Sequence, residues 1–523
     1  MKPFSVVPHI TIKVDGSEIS SELIQTIHAI RINQILSAPS QCEIEVPEAH
    51  QQISTEILSK IGSLIEIKID QYDSALFYGQ ITAVELAYNA SSKPFISIRA
   101  YDLLHQLRKR QPIRTHNQVN LHQLAHDITH DMAITVKGGE STPTIPSLYQ
   151  YRQSDLQILH EFGESYGQYF FLNNKELQFF PLSGTSKKES LKLGDNLLEV
   201  QFSINAETVT DSVTASGWNT QHATSHSMTA QQFDSVINND FQLNSSDFSS
   251  DGKRTFVDHN IQNDQQAEII AQKELDRHMV QQLTLWGVAE GNPFLTPGSA
   301  VQVVGVSANL EGKYVLTEVR HSIDPVKGYI SEINTSPPRI EKTKQNKNAM
   351  IGIVSQVNDP DNLARIKVTL PTYNNIETEW LEVLSLGAGS NKGQLILPDV
   401  GDTVLLLNIN NEPSQAIVLG GVFGENDLPK SVVENGIVKR FITKTAGNQK
   451  IYLDDEEASI KIETQTGHNI KLKPGKISIV HNNGSSITLS ENNMTIHSET
   501  NLNIEAPGRS ITFRGRKIDF EEA

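Results

Sequence analysis

The sequence predicts a mainly β protein: β-barrels with a few packing helices, then an OB-fold barrel, then a C-terminal trimeric intertwined β-helix. Three observations predict it. The last ninety or so residues repeat an apolar-x-apolar doublet nine times. Residues 1–100 and 283–316 alternate apolar and polar residues between polar turns. Residues 349–428 pack five such runs into about eighty residues.

Taken in order, the first runs are Ile10–Val14 ahead of Asp15-Gly16, then Leu64–Ile69, Ile81–Leu86 and Phe95–Ile98. Short strands joined by polar turns form a β-barrel or a small sandwich. Helical spacing follows. Asn120 is placed to cap a helix carrying Leu121, Leu124, Ala125 and Ile128 on one face. Ser154 caps a second, with Leu156, Leu159 and Phe162 inward. A third spans 263–282, with Asp264 at its start and Ala267, Ile270, Ala271 and Leu275 at a helical period. Between roughly 184 and 260 the chain is rich in Ser, Asn, Gln and Asp, a mixture of strands and long loops. Strands return at Leu283–Val288, Ala300–Val304 and Lys313–Leu316, completing a second barrel before Ser336-Pro337-Pro338. Residues 339–348 are Lys, Gln and Asn with almost nothing apolar, which reads as a linker. The expected division is 1–335, a linker at 336–348, an OB unit at 349–428 and a needle at 429–523.

The OB runs are Ile351–Val354, Ala364–Val368, Glu379–Val383, Thr403–Leu407 and Ala416–Leu419, the strand count of a small Greek-key barrel. The doublets then begin. They are Ile451/Leu453, Ile460/Ile462, Ile470/Leu472, Ile477/Ile479, Ile487/Leu489, Met494/Ile496, Leu502/Ile504, Ile511/Phe513 and Ile518/Phe520. Alternate residues of a strand share a face, so each doublet is one short strand with two inward side chains. One chain offers too little apolar surface per strand to close a dry core. Three chains wound together close it, as a rigid needle.

Composition narrows the function. Acids outnumber bases 61 to 44, a net charge of -17, which argues against a phosphate-backbone binder and disfavours steady attachment to anionic lipid. Cys42 is the single cysteine, so no disulfide framework exists within the chain. No apolar run is long enough to span a bilayer. The start, MKPFSVVPHITIKVDG, lacks the apolar stretch of a secretory signal, so synthesis in the cytoplasm without a signal peptide is expected.

No catalytic constellation emerges, and no cofactor is expected. His122, His126 and His130 stand at i, i+4 and i+8, a spacing compatible with metal. They lie opposite the apolar face and lack a His-Glu-x-x-His base, so solvated histidines are the reading, with metal the minor alternative. Asp454, Asp455, Glu456 and Glu457 fall between two needle strands and read as a solvated turn. The glycine-rich run 387–393 lacks a Gly-Lys-Ser/Thr ending and precedes a strand, so it is a barrel turn. Trp380 reads as core packing, not as a base-stacking platform.

Residues 349–428 resemble the OB domain of phage-baseplate spikes. The landmarks are Asp359-Pro360-Asp361, Ala364-Arg365-Ile366-Lys367-Val368, Thr378-Glu379-Trp380, Leu397-Pro398-Asp399-Val400-Gly401-Asp402 and Ile417-Val418-Leu419-Gly420-Gly421. Ala364 stands where the family commonly has Gly, and Gly421 where it has Ser. The first 335 residues resemble the hub half of VgrG-type proteins through Tyr101-Asp102-Leu103-Leu104, Tyr151–Leu159, Tyr169-Phe170-Phe171, Gly312-Lys313-Tyr314 and Gly328-Tyr329. The resemblance implies a homotrimeric central spike of a contractile injection system, structural and without catalysis. Its hub, with two β-barrels per chain, would meet the inner-tube hexamer and baseplate proteins. Its needle would pass transiently through a target membrane and carry a PAAR-type tip protein. Among such spikes the layout is most similar to those of extracellular contractile injection particles, with release of the particle implied. The doublets nearest the end, Ile511, Phe513, Ile518 and Phe520, are the expected tip interface, with no effector domain beyond Ala523. A tail-associated cell-wall hydrolase and an OB-type binding module are the alternatives. The short stretch from Gly424 to Gly436 leaves no room for a lysozyme domain.

Overall fold

The computed structural model describes residues 7–47, 59–89, 92–185, 188–219, 224–232, 243, 245–248, 251–257, 261, 263–338, 349–408, 416–423 and 432–521. The linker expected at 336–348 lies, from 339 onward, outside them. Among the described residues strands take up 45% and helices 14%, so the fold is mainly β. No helix among the described residues is long and apolar enough to cross a membrane. The chain divides into two compact units, Met1–Gly421 and Val422–Ala523.

In the first unit the described residues form an eleven-stranded antiparallel sheet. Its spatial order is Leu197–Ile204, Leu283–Glu290, Gly328–Asn334, Glu318–Asp324, Ala29–Ile35, Gln41–Pro47, Ser92–Tyr101, Ala75–Asn89, Leu64–Ile69, Ile10–Val14 and Ser17–Glu18. Alternation along these strands buries one side of each. Ile30, Ile32, Ile44, Ile67 and Ile81 form one core, and Leu191, Leu285, Val301 and Tyr314 another. The two cores share one ladder, because Ala29–Ile35 pairs with Glu318–Asp324, Ile32 opposite His321. Ile323 and Tyr329, from late in the sequence, consequently pack in the first core.

The helices follow their caps. The Asn120 side chain accepts from Gln123 N and the Gln123 side chain accepts from Asn120 N, opening Leu121–Thr129. Ser154 and Gln157 repeat the device for Asp155–Ser165. Leu121, Leu124, Ala125, Ile128, Leu156, Leu159 and Phe162 all join one further core. Asn263 caps Asp264–Gln282, whose Ala267, Ile270, Ala271 and Leu275 pack against strands Ser212–Asn219, Thr224–Ala230 and Lys253–Val257. Those strands lie in the stretch whose polar composition hides them. Asp102, from the Tyr-Asp motif, is buried and accepts from Ser40 N at 2.7 Å and Leu104 N at 3.0 Å.

The OB sheet runs Ile376–Glu377, Lys367–Leu370, Ala349–Gln356, Thr403–Leu407, Ile417–Gly421 over a core of Met350, Val354, Val368, Val404, Leu406 and Val418. Two expected strands are cut short. Glu379–Val383 makes only isolated bridges, Leu381 to Ile366 and Val383 to Val418. Ala364–Arg365 lies outside the ladder because Ala364 takes φ +59° and Arg365 turns onto Asp359. That left-handed backbone is what a glycine adopts without strain. Trp380 is half-buried with the Lys367 ammonium 5.6 Å from its ring, not in the core as expected. On this side the OB sheet meets the preceding domain. Ser147 Oγ donates to Glu379 Oε1 at 2.6 Å, and the Tyr151 and Tyr373 rings meet edge to face.

In the second unit seven strands follow one another as an antiparallel meander: Arg440–Lys444, Lys450–Asp454, Ser459–Glu463, Asn469–Lys473, Lys476–Val480, Ser486–Ser490 and Met494–His497. Six of the nine doublets form strands, and Arg440–Lys444 is a strand that the doublet count misses. The last three doublets form none. The chain supplies no further strand beside Met494–His497, and Pro507 removes a ladder donor.

Candidate functional site: an unpartnered apolar face

The register of the meander stacks its doublets. Ile451 faces Ile462, which faces Ile470, and the column continues through Ile479, Ile487 and Ile496. A second column runs Leu453, Ile460, Leu472, Ile477, Leu489, Met494. Between them the opposite face carries Tyr452, Lys461, Lys471, Ser478, Thr488 and Thr495. Every apolar member is exposed, from 36% at Ile487 to 62% at Met494. An antiparallel sheet ordinarily turns its apolar side to a core. Here the single chain has no core beneath it, and a contiguous apolar surface of this extent marks an interface. Covering the exposed half of each side chain is worth on the order of 1 kcal/mol apiece. Summed over both columns, that exceeds the lower estimates of about 4 kcal/mol for lost freedom on association.

The sheet begins at an ion cluster. Arg440 lies opposite Asp454 in the first rung, and its Nε donates to Asp454 Oδ2 at 2.7 Å. Its Nη2 donates to Glu434 and to Glu456, each at 2.9 Å. Asp454 Oδ1 accepts from Glu456 N and Glu457 N, and Glu457 takes Lys471 Nζ at 2.8 Å. The guanidinium holds the Asp454 carboxyl below its usual range. The acidic run 454–457 is therefore not merely a solvated turn. Sequence reading misses this because Arg440 is distant in the chain and only the register brings it there.

The remaining candidates stay apart. His122 Nδ1 is 3.0 Å from Gly138 O, and His130 Nδ1 is 2.8 Å from Asp127 O; His126 has Asp127 at 3.8 Å. Each histidine is engaged locally. Among the described residues no group of three or more His, Cys, Asp or Glu could hold a metal ion. Ile511, Phe513, Ile518 and Phe520 are exposed, Phe520 to 91%.

Residues 5–325, more than half of the chain, match the family described as the Alg8 N-terminal domain. The chain belongs to that family. This Alg8 N-terminal-domain member continues with a match to the type VI secretion system/phage-baseplate injector OB domain at 350–423. Residues 440–502, which contain the apolar columns, match the phage baseplate V C-terminal trimerisation domain. No curated protein matches the chain. The solved structures similar in fold include two that span most of this chain. One is the E. coli c3393 protein, a component of the type VI secretion system described as structurally similar to T4 bacteriophage tail proteins gp27 and gp5. It is 14% identical with a TM-score of 0.54, over 79% of this chain and 99% of that one. The other is a chain of the Francisella PdpA-VgrG complex in its half-lidded form, 9% identical with a TM-score of 0.54, over 94% and 88%. The injector OB domain and the trimerisation domain make the chain a structural spike of a contractile injection system.

Proposed function

We propose that three copies of this chain assemble into the central spike, joining an inner tube and baseplate proteins at the hub to a membrane-puncturing needle. The observation that carries the reading is the pair of apolar columns, exposed along the whole meander and lying inside the stretch matched to a trimerisation domain. Three such faces turned inward make a dry core, and the polar faces turn outward. A rod sheathed in Lys, Ser and Thr passes through lipid without remaining there.

The work is mechanical. The proposed spike acts structurally, without catalysis and without a cofactor. The exposed residues Ile511, Phe513, Ile518 and Phe520 form a platform for a PAAR-type tip protein. The chain is made in the cytoplasm, built into a particle and released with it.

The test is the mass of the full chain in solution, together with its gel mobility before and after boiling in SDS. A trimer that persists in SDS until heated is expected, and a stable folded monomer overturns the reading. A peptidoglycan-clearing assay on the same preparation separates it from a cell-wall hydrolase: clearing overturns the non-catalytic assignment.

A further inference from the structure

The OB sheet has two apolar faces. Met350, Val354, Val404 and Leu406 point into its core, and the residues alternating with them point away. On the outer face Ile351 lies opposite Leu405, and Leu407 opposite Ile417. Ile351, Ile353, Leu407 and Leu419 are all exposed there. The sheet meets the preceding domain at the Ile376–Glu377 edge, through Tyr149 on Glu377 and Tyr151 on Tyr373, so that contact leaves this face open.

The same domain also carries an arm. Every residue from Leu386 to Ile396 is exposed, including Leu386 at 75%, Leu395 at 67% and Ile396 at 61%. The arm is built, not frayed. Gln394 N donates to Leu386 O at 2.9 Å, and Gly389 and Lys392 exchange backbone bonds at 3.0 and 3.1 Å. Gly387 takes φ +66°, and a Cβ there would meet nothing within 4 Å. A preorganised hairpin holding three large apolar side chains away from its own chain is shaped to seat elsewhere.

We infer that the arm of one copy packs on the outer OB face of the next copy, through Leu386, Leu395 and Ile396 on one side and Ile351, Ile353, Leu407 and Leu419 on the other. This rests on the trimeric spike proposed above. Donor and acceptor are different patches on one domain, so the contact is heterologous, and three of them close a ring when the rotation is threefold. The stretch matched to a trimerisation domain begins at residue 440, shortly after the last OB strand ends at Gly421. Tethering three collars that closely raises the local concentration of arm and face. Covered in this way, both apolar surfaces leave water.

Cysteine pairing tests it, since Cys42 is fully buried and does not compete. The full chain carrying both Leu395→Cys and Ile353→Cys is treated with a short thiol-to-thiol crosslinker, boiled in SDS and run on a denaturing gel. A second pairing, Leu386→Cys with Leu407→Cys, guards against poor geometry at the first. Covalent dimers and trimers are expected for at least one pair, with only monomer for each single substitution. All four positions are exposed, so folding is unaffected, and circular dichroism checks this. A particle that is trimeric by light scattering yet gives no crosslink with either pair overturns the arm exchange and leaves the spike standing. A monomer by light scattering overturns both.

Discussion

Arg440 and Asp454 face each other across the first rung of the C-terminal sheet, Nε to Oδ2 at 2.7 Å. That single guanidinium also holds Glu434 and Glu456. Replacing it with Met leaves three carboxylates crowded together. Arg440→Met is therefore expected to lower the melting temperature of the C-terminal unit at pH 7. The Asp454 carboxyl is held below its ordinary 3.8, so its stabilising share is present above that value and lost as pH falls below it. The gap between variant and parent should consequently shrink in acid, which differential scanning calorimetry at two pH values will show.

The apolar columns give a sharper contrast between the two faces of the sheet. Ile470→Asp places a charge in a column, whereas Thr488→Asp places one on the opposite face. Burying an unpaired carboxylate costs several kcal/mol, about three orders of magnitude or more in an association constant. Sedimentation at micromolar concentration should find the first variant dissociated and the second still trimeric.

Ala364 holds φ +59°. For an L-residue with a Cβ that backbone costs roughly 1 kcal/mol or somewhat more, which glycine avoids. Ala364→Gly should stabilise the OB domain by about 1 kcal/mol in urea unfolding, even though it removes a methyl group.

Buried His321 shares hydrogen bonds with Ser331 and Tyr329, and burial pushes its imidazole down to about 4 from 6.5. A depressed base contributes stability above pH 6.5 that is lost as pH falls towards 4. Burial pushes Asp102 the other way, up to about 7 from 3.8, so its contribution is present below 3.8 and lost as pH rises through 7. The two slopes oppose each other in the parent. His321→Gln removes one of them. Relative to the parent it should gain about 3 kcal/mol on going from pH 7 to pH 4, measured by denaturant unfolding.

At the far end of the sequence, Phe513→Asp and Phe520→Asp together should leave the trimer intact and weaken binding of a PAAR-type tip protein at least tenfold. Loss of the trimer along with tip binding in a pull-down would mean that these side chains serve assembly instead.

What could be read from residue order is what short-range periodicity carries. The shared face of each doublet from Ile451 to Ile496 follows from alternation, and the Asn120 and Ser154 caps from their local spacing, because strand faces and capping boxes are set within a few residues. Register is another matter. Alternation does not place Arg440 beside Asp454, nor does it reveal the tight loop in which Asp359 collects Leu363 N, Arg365 N and the Arg365 side chain and truncates the strand expected at 364–368. Leu502 to Phe520 repeat the doublet pattern but form no strand, because a doublet is a strand only where another lies beside it. Trp380 reads as a core residue from sequence but lies half-buried beneath Lys367, a position decided by the shortened strand around it.

The pairing of Ala29–Ile35 with Glu318–Asp324 sets the order of events during synthesis. Until the ribosome has passed Asn334, the early strand at Ala29–Ile35 keeps a bare edge and the core around Ile32 lacks Ile323 and Tyr329. Closing a contact across nearly three hundred residues is slow, and an open edge recruits other chains in the meantime. Heterologous production should thus reward slow translation at low temperature, with soluble yield limited by this one late seam.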